Sequence, residues 1–242
     1  MSQTGTPFIE NMENKIIDTF IEKPIAFSVN KKVMYLYPLT LGKMYLLSQY
    51  IKRLNLDTDH IKSNFYLELL RVVRENKNTC CEIIAIHTCK NKREVFDALH
   101  LRKKINAIAK ADEDEIAALL SLVLNTEDVS LYKNELGITK DQEELNKVLA
   151  AKKETNSMTF GGVSIYGTLI DKACERYGWS YDYVVWGISY LNLQLMISDQ
   201  VQQVYLSDEE VKNLKGISLD RKRVNADDKE QLTQYIKSHN WE

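Results

Sequence analysis

Turn-forming residues are scarce in this chain: nine glycines and three prolines serve 242 residues. A many-stranded sandwich or barrel consumes turn residues at every reversal, whereas packed helices need few, so the count steers the fold toward helices. Hydrophobic residues make up 44% of the chain and charged residues 27%, enough apolar surface for a core, which argues against disorder throughout. At this length either one large domain or two small ones is expected.

The stretch IAFSVNKKVMYLYP reads as a β-hairpin. Phe27 and Val29 alternate with Ala26 and Ser28. Across Asn30-Lys31-Lys32, Val33, Tyr35 and Tyr37 then alternate with Met34 and Leu36, and Pro38 stops the pattern. Helical spacing follows. Thr40 is placed to cap a helix carrying Met44, Leu47, Ile51 and Leu54, and a second helix carries Ile61, Phe65, Leu69 and Val72. Separate helices are expected in TCCEIIAIHTC and in REVFDALHLRKKINAIA. Another starts at Asp112, where Asp-x-x-Glu to Glu115 has the form of a cap, and another at Thr139 with Gln142. The expected fold class is therefore mainly α, a helical protein with a small N-terminal β-hairpin.

The span AKKETNSMTFGG falls in apolar content and closes on Gly161-Gly162, so it reads as a linker. It divides the chain into residues 1–155, hairpin plus helical domain, and 156–242, a small C-terminal helical domain. In the latter, Tyr166, Leu169, Ile170, Ala173, Cys174 and Tyr177 share one helical face. Gly178 suits the left-handed residue that ends this helix, and Ser180 suits the cap of the next, with Asp182 in its first turn. Ser207-x-x-Glu210 and Asp227-x-x-Glu230 mark two short terminal helices.

The helix expected from 181 to about 197 is apolar on most sides. Tyr183, Trp186, Tyr190, Leu193 and Ile197 make one stripe, and Val184, Ile188, Leu191 and Leu195 make another beside it. Such a helix is buried or covered by a partner. Gly187 inside it costs about 1 kcal/mol relative to Ala, an expense that the close approach of another backbone would explain. Two readings stand together: a core helix, and a docking surface in which Tyr and Trp supply contact area. A helix-turn-helix that reads DNA is disfavoured, because no Lys or Arg occurs between Arg176 and Lys212 to hold phosphates.

Other constellations carry little chemistry. Cys80, Cys81, His87 and Cys89 offer metal-ligand types without the CxxC spacing of a structural zinc site, so buried thiols and a satisfied histidine are expected and no metal is assigned. The DEDE run at 112–115 reads as an acidic first turn rather than a nuclease site, because consecutive acids on one turn diverge. None of the nucleotide, nucleophile-elbow or zincin motifs occurs, so no catalytic residue and no cofactor is assigned. Lys92, Arg93, Arg102, Lys103 and Lys104 make a basic patch, but only Phe96 lies among them as a stacking ring. A solvated face, or a site for an acidic protein, fits them better than nucleic acid.

Charge is uneven along the chain. Residues 1–110 hold 18 Lys/Arg and 11 Asp/Glu, and residues 111–242 hold 14 and 23. That polarity suits contact between the halves or self-association of copies. Clustered cysteines, an N-terminus without a basic start and apolar run, and the lack of a long apolar stretch lead us to expect a protein of a reducing cytoplasm without signal peptide or membrane span.

Two segments, KPIAFSVNKKVMYLYPLTLGKMYLL and YGTLIDKACERYGWSYDYVVWGISYLNLQLMISD, together resemble the tail assembly chaperones of long-tailed bacteriophages. The first is similar to the hairpin, Pro, Thr and helix with which such proteins begin, and the second to their Tyr-Gly-Trp-Ser junction and aromatic helix. The resemblance covers about a quarter of the chain, and the middle is matched only in being helical. It implies a non-catalytic factor of the host cell cytoplasm that coats the tape-measure protein and helps deliver the tail-tube protein, and it makes Trp179, Tyr183, Trp186 and Tyr190 the first candidates for contact. It also implies that the linker near 155 could be a frameshift junction. A structural or adaptor protein of the phage virion is the alternative, and a nucleic-acid-binding regulator a more distant one.

Overall fold

Alternation in the N-terminal hairpin sorts its side chains by face. Strands β1 (Ile25–Val29) and β2 (Lys32–Leu36) pair antiparallel with Phe27 opposite Met34 and Val29 opposite Lys32. Val29, Met34 and Leu36 are buried, with Phe27 packed partly against the same core, while Val33 and Tyr35 face solvent. The computed structural model describes residues 7–29, 31–124, 129–152, 162–214, 229–230 and 233–234. Among them the hairpin is the one sheet and the rest of the regular structure is helical, which makes the protein mainly α.

Helix α1 (Pro7–Phe20) precedes the hairpin. Helix α2 (Leu41–Ile51) follows it and tightens into a 3-10 turn at Lys52–Leu54. Thr40 caps α2 as its sequence position predicts, accepting a hydrogen bond from the Lys43 amide. Next comes α3 (Thr58–His87), 30 residues long. Two separate helices were expected here, and the chain instead continues through kinks at Asn64 (φ −158°, ψ 98°) and Asn76 (φ −134°, ψ 41°). At the first, the Asn64 side chain accepts from the Leu67 amide and so caps the turn that follows, the competition with helical bonding that Asn offers.

The expected single helix after residue 92 is divided. Asp97 ends α4 (Lys92–Phe96) and caps α5 (Ala98–Ile108), its side chain accepting from the His100 amide. Helix α6 (Glu113–Leu124) begins as read, with Asp112 accepting from the Glu115 amide at 2.7 Å. After α7 (Val129–Glu135), α8 (Ile138–Ala151) starts one residue before Thr139, so the expected Thr139 cap lies inside the helix, and Gly137 at φ 74° makes the turn. Ser164 caps α9 (Ile165–Tyr177), and Gly178 ends it in the left-handed conformation at φ 64°. Helices α10 (Tyr181–Trp186) and α11 (Tyr190–Ser198) follow, then α12 (Asp208–Asn213), which carries the full Ser207–Glu210 capping box. Residues 229–230 are helical, and Asp227 lies outside the described residues.

The chain gathers into two compact units, one of Met1–Thr139 with Met158–Val201, the other of Lys140–Ser157 with Gln202–Glu242. Helices α9 to α11 thus belong to the same unit as the hairpin, whereas residues 156–242 were read as a domain of their own. The boundary near 155 falls in 153–161, outside the described residues. In the larger unit, the main core lies under the hairpin and α2, with α5 and α6 packed on α3. A second core joins Leu41 of α2 to Leu169 and Ala173 of α9, Val184 of α10, Ile188, and Leu193 of α11. Tyr132, Ile138 and Leu195 form a third. Helix α2 therefore serves two cores, Leu47 in the first and Leu41 in the second. In the smaller unit, the described regular structure is the bulk of α8, α12 and the helical residues near 230.

Candidate docking surface

The continuous aromatic helix expected from 181 to 197 is interrupted. Helix α10 stops at Trp186, Gly187 and Ile188 turn the chain, and Ser189 starts α11 by accepting from the Asn192 amide at 3.2 Å. Here the chain meets the segment after the hairpin: Thr40 and Ser189 form an antiparallel bridge, and the Tyr190 amide donates to Leu39 O at 2.7 Å. The Glu22 carboxylate accepts from the Ser189 amide at 2.6 Å. Asn192 donates in return to Thr19 O at 3.1 Å, near the end of α1. The orphan amides of one helix start and the orphan carbonyls of another helix end are thus satisfied together.

Gly187 was expected to admit another backbone. The other backbone arrives two residues later, at Ser189 and Tyr190, and what crowds Gly187 is Tyr183: a Cβ there would stand 2.3 Å from the Tyr183 ring and 2.9 Å from its carbonyl oxygen. The close approach that no reading of the sequence predicts is at Gly42 of α2, whose missing Cβ leaves room for the indole of Trp186.

The aromatic segment divides between buried and exposed residues. Val184, Val185, Ile188, Leu193 and Leu195 are buried, the core half of the segment. Tyr181 and Tyr183 are exposed, and Trp179, Trp186 and Tyr190 are half-buried. Rings follow one another along the surface: Tyr177 stacks on Trp179 at 4.6 Å between centroids, and Trp179 meets Tyr183 edge-on at 5.1 Å. Trp186 meets Phe96 of α4 edge-on at 5.6 Å. Tyr190 stands apart from these, its hydroxyl accepting from Gln194.

Between α4 and α10 lies a groove of about 830 Å³, with Phe96, Tyr183 and Trp186 as its apolar lining and Lys92, Arg93 and Asp182 among its polar groups. Phe96 is 61% exposed, a large apolar cost for a lone ring. Lys92 pairs with Asp182 across the groove, its ammonium 6.0 Å from the Trp186 ring centroid. Of the four aromatic candidates, Tyr183 and Trp186 line this groove, while Trp179 and Tyr190 do not.

The basic patch is spread over two helices and partly diverted. Lys92 and Arg93 stand exposed on α4, and Arg102 and Lys103 stand exposed on α5. Lys104 turns inward, donating to Thr88 O beyond the end of α3 and pairing with Glu94 at 3.3 Å. It thereby satisfies a helix-end carbonyl rather than facing solvent.

Cys80, Cys81 and Cys89 are buried free thiols, and Cys174 is half-buried. Burial pushes Cys80 up to about 12, which disfavours its thiolate form. Among the described residues no group of three or more His, Cys, Asp or Glu could hold a metal ion. In the acidic run, Asp112 caps α6, Glu113 pairs with Arg74 at 2.9 Å, and Asp114 accepts from the Tyr66 hydroxyl at 3.4 Å. His87 was expected to be satisfied, yet its buried Nδ1 has no hydrogen-bond partner, nor has Nζ of Lys43, which is 1% exposed. Burial holds His87 down to about 4 and Lys43 down to about 8.

Sequence reasoning missed Phe96 as a groove residue and Lys43 as a buried one. The first depends on α4 meeting α10, which no local pattern encodes. The second runs against the rule that lysines stay outside. No family model, curated protein or solved structure matches the chain. Among the described residues no helix is long and apolar enough to cross a membrane.

Proposed function

We propose that this chain is a non-catalytic tail assembly chaperone of a long-tailed bacteriophage, one that binds the tape-measure protein in the host cytoplasm and helps recruit tail-tube subunits. What carries the reading is that the two segments bearing the resemblance, far apart in sequence, pack into one body. Leu39, Thr40 and Gly42 from the first meet Tyr190, Ser189 and Trp186 from the second. Two separate likenesses to one family then fall in segments that pack on each other, which supports reading them together.

The groove beside that contact supports the binding reading. Its rings offer apolar area to an amphipathic helix, and Arg93 stands exposed on one wall to meet an acidic residue flanking the helix's apolar stripe, Lys92 being paired with Asp182. A tape-measure protein exposed before the tube closes around it has such stripes to shield.

The test is co-expression with a tape-measure protein of a long-tailed bacteriophage, the partner this reading assigns, followed by co-purification. Wild type should hold that protein soluble. A folded Phe96→Ala, Tyr183→Ala double variant should not. Failure of the wild type to retain it, or retention of this chain in finished particles, overturns the chaperone reading.

A further inference from the structure

We propose that β1 is the contact strand of a homodimer, two copies joining their hairpins edge to edge into one four-stranded antiparallel sheet. This stands apart from the groove and from the chaperone reading.

The argument starts from the register. Val29 and Lys32 face each other across a two-residue connection. In such a hairpin the closing pair exchanges its hydrogen bonds, and bonded and non-bonded pairs then alternate along the ladder. Counting back, Phe27 and Ile25 bond to β2, so the N–H and C=O groups of Ala26 and Ser28 point away from it. Among the described residues no other strand pairs with β1, and both Ala26 and Ser28 are exposed.

Sheet edges are normally guarded by lysine, proline, a bulge or a covering element. Strand β1, Ile-Ala-Phe-Ser-Val, carries no charge and no proline. Its outward residues Ala26 and Ser28 are small and exposed, and Pro24, which supplies no N–H just before the strand, confines the pairing to these two. The neighbouring surface is apolar as well: Val33 and Tyr35, cross-strand partners of Ser28 and Ala26, are 58% and 45% exposed.

A second copy of β1 fits this edge in one register. With Phe27 opposite Phe27 of the other copy on a two-fold axis, Ala26 of each strand lies opposite Ser28 of the other. All four outward groups of each strand are then paired, and the contact is isologous, the commonest form of dimer. Charge permits it. An uncharged strand meets its own copy without like-charge repulsion, and the Lys23 that would approach Lys31 of the other copy is already neutralised by Asp18 at 2.9 Å. Val33 and Tyr35 of both copies would then share one apolar face with the two β1 strands.

The test is sedimentation equilibrium of the full chain over a micromolar to sub-millimolar series, with hydrogen exchange at Ala26 and Ser28. Wild type should approach twice the monomer mass with both amides slowed as association proceeds. Ser28→Pro removes an outward donor that the hairpin itself does not use, so it should stay monomeric with an unchanged circular dichroism spectrum. Ala26→Lys places a guard charge on the same edge and decides the matter alone where Ser28→Pro does not fold. A wild type that stays monomeric throughout overturns the proposal. So does association undiminished in the folded variants, or a dimer whose Ala26 and Ser28 amides exchange as fast as in the monomer.

Discussion

Trp186 occupies the space that a side chain on Gly42 would need: a Cβ at Gly42 would stand 2.6 Å from Cε2 of the indole. Gly42 lies in α2, where alanine ordinarily gains about 1 kcal/mol over glycine. The contact reverses that sign. Displacing the half-buried indole toward the groove costs off-rotamer strain and lost contacts of about 1–3 kcal/mol. Gly42→Ala is therefore expected to lower the urea midpoint, and Trp186→Ala to lower it on its own through lost packing. The double variant should be more stable than the sum of the two predicts, because the methyl then meets no ring. Additive losses would show that the two residues do not share this space.

Asn192 ties two helix ends together, donating to Thr19 O and Phe20 O while Glu22 accepts from the Ser189 amide. Glu22 makes this contact from the left-handed region, φ 53°, a conformation that costs a non-glycine residue free energy and is retained when the contact outweighs it. Asn192→Ala leaves those carbonyls less well satisfied and is expected to cost about 1–3 kcal/mol. Hydrogen exchange should quicken in the last turn of α1 and the first turn of α11 together. Quickening in α11 alone would mean that α1 is held by other means.

Lys43 gives a pH dependence with a defined sign. Its folded-state value, about 8, lies below the ordinary 10.5, so the folded protein binds fewer protons than the unfolded chain between those values, and stability rises with pH across that window. Below about pH 8 the burial penalty is fully present, about 3 kcal/mol at most. The groups whose charges act on Lys43 are Cys89, Lys104, Glu94 and Glu22. Lys43→Met is expected to stabilise the protein at neutral pH and to flatten the alkaline window. His87, held down to about 4 from 6.5, produces a second window in which stability falls as pH drops from 6.5 toward 4. Lys43→Met should leave most of that one in place, since burial is its main cause. Denaturation midpoints from pH 4 to pH 10 check both.

Features written into a few adjacent residues were legible in the sequence. The Thr40, Asp112, Ser180 and Ser207 caps each need one side chain and an amide two or three residues away, and all are present. Gly178 ends α9 because glycine adopts a positive φ cheaply. The break between α10 and α11 was not legible, although Ser189 is a good cap, because apolar spacing runs straight through it. The competing bonds that stop the helix come from Leu39 and Glu22. Two of the four aromatic candidates reach the groove, and Phe96, passed over as a lone ring among lysines, completes it through a helix contact that residue spacing does not encode.

Exposure separates the residues that hold the fold from those free to bind. Leu193 is fully buried, and Leu193→Ala is expected to cost about 2–5 kcal/mol. Phe96, 61% exposed, has little to lose within the chain, so Phe96→Ala should cost under about 1 kcal/mol. Lys92→Ala should cost equally little, because an exposed ion pair such as Lys92–Asp182 contributes under about 1 kcal/mol. If the groove is the docking surface, Phe96→Ala should weaken capture of the tape-measure protein about tenfold or more, as loss of a central aromatic anchor does, and Lys92→Ala much less. Trp186→Ala cannot make this distinction, since it also empties the site against Gly42. Binding titrations alongside urea curves separate the effects. Capture that tracks stability across all three variants would remove the groove from the binding surface.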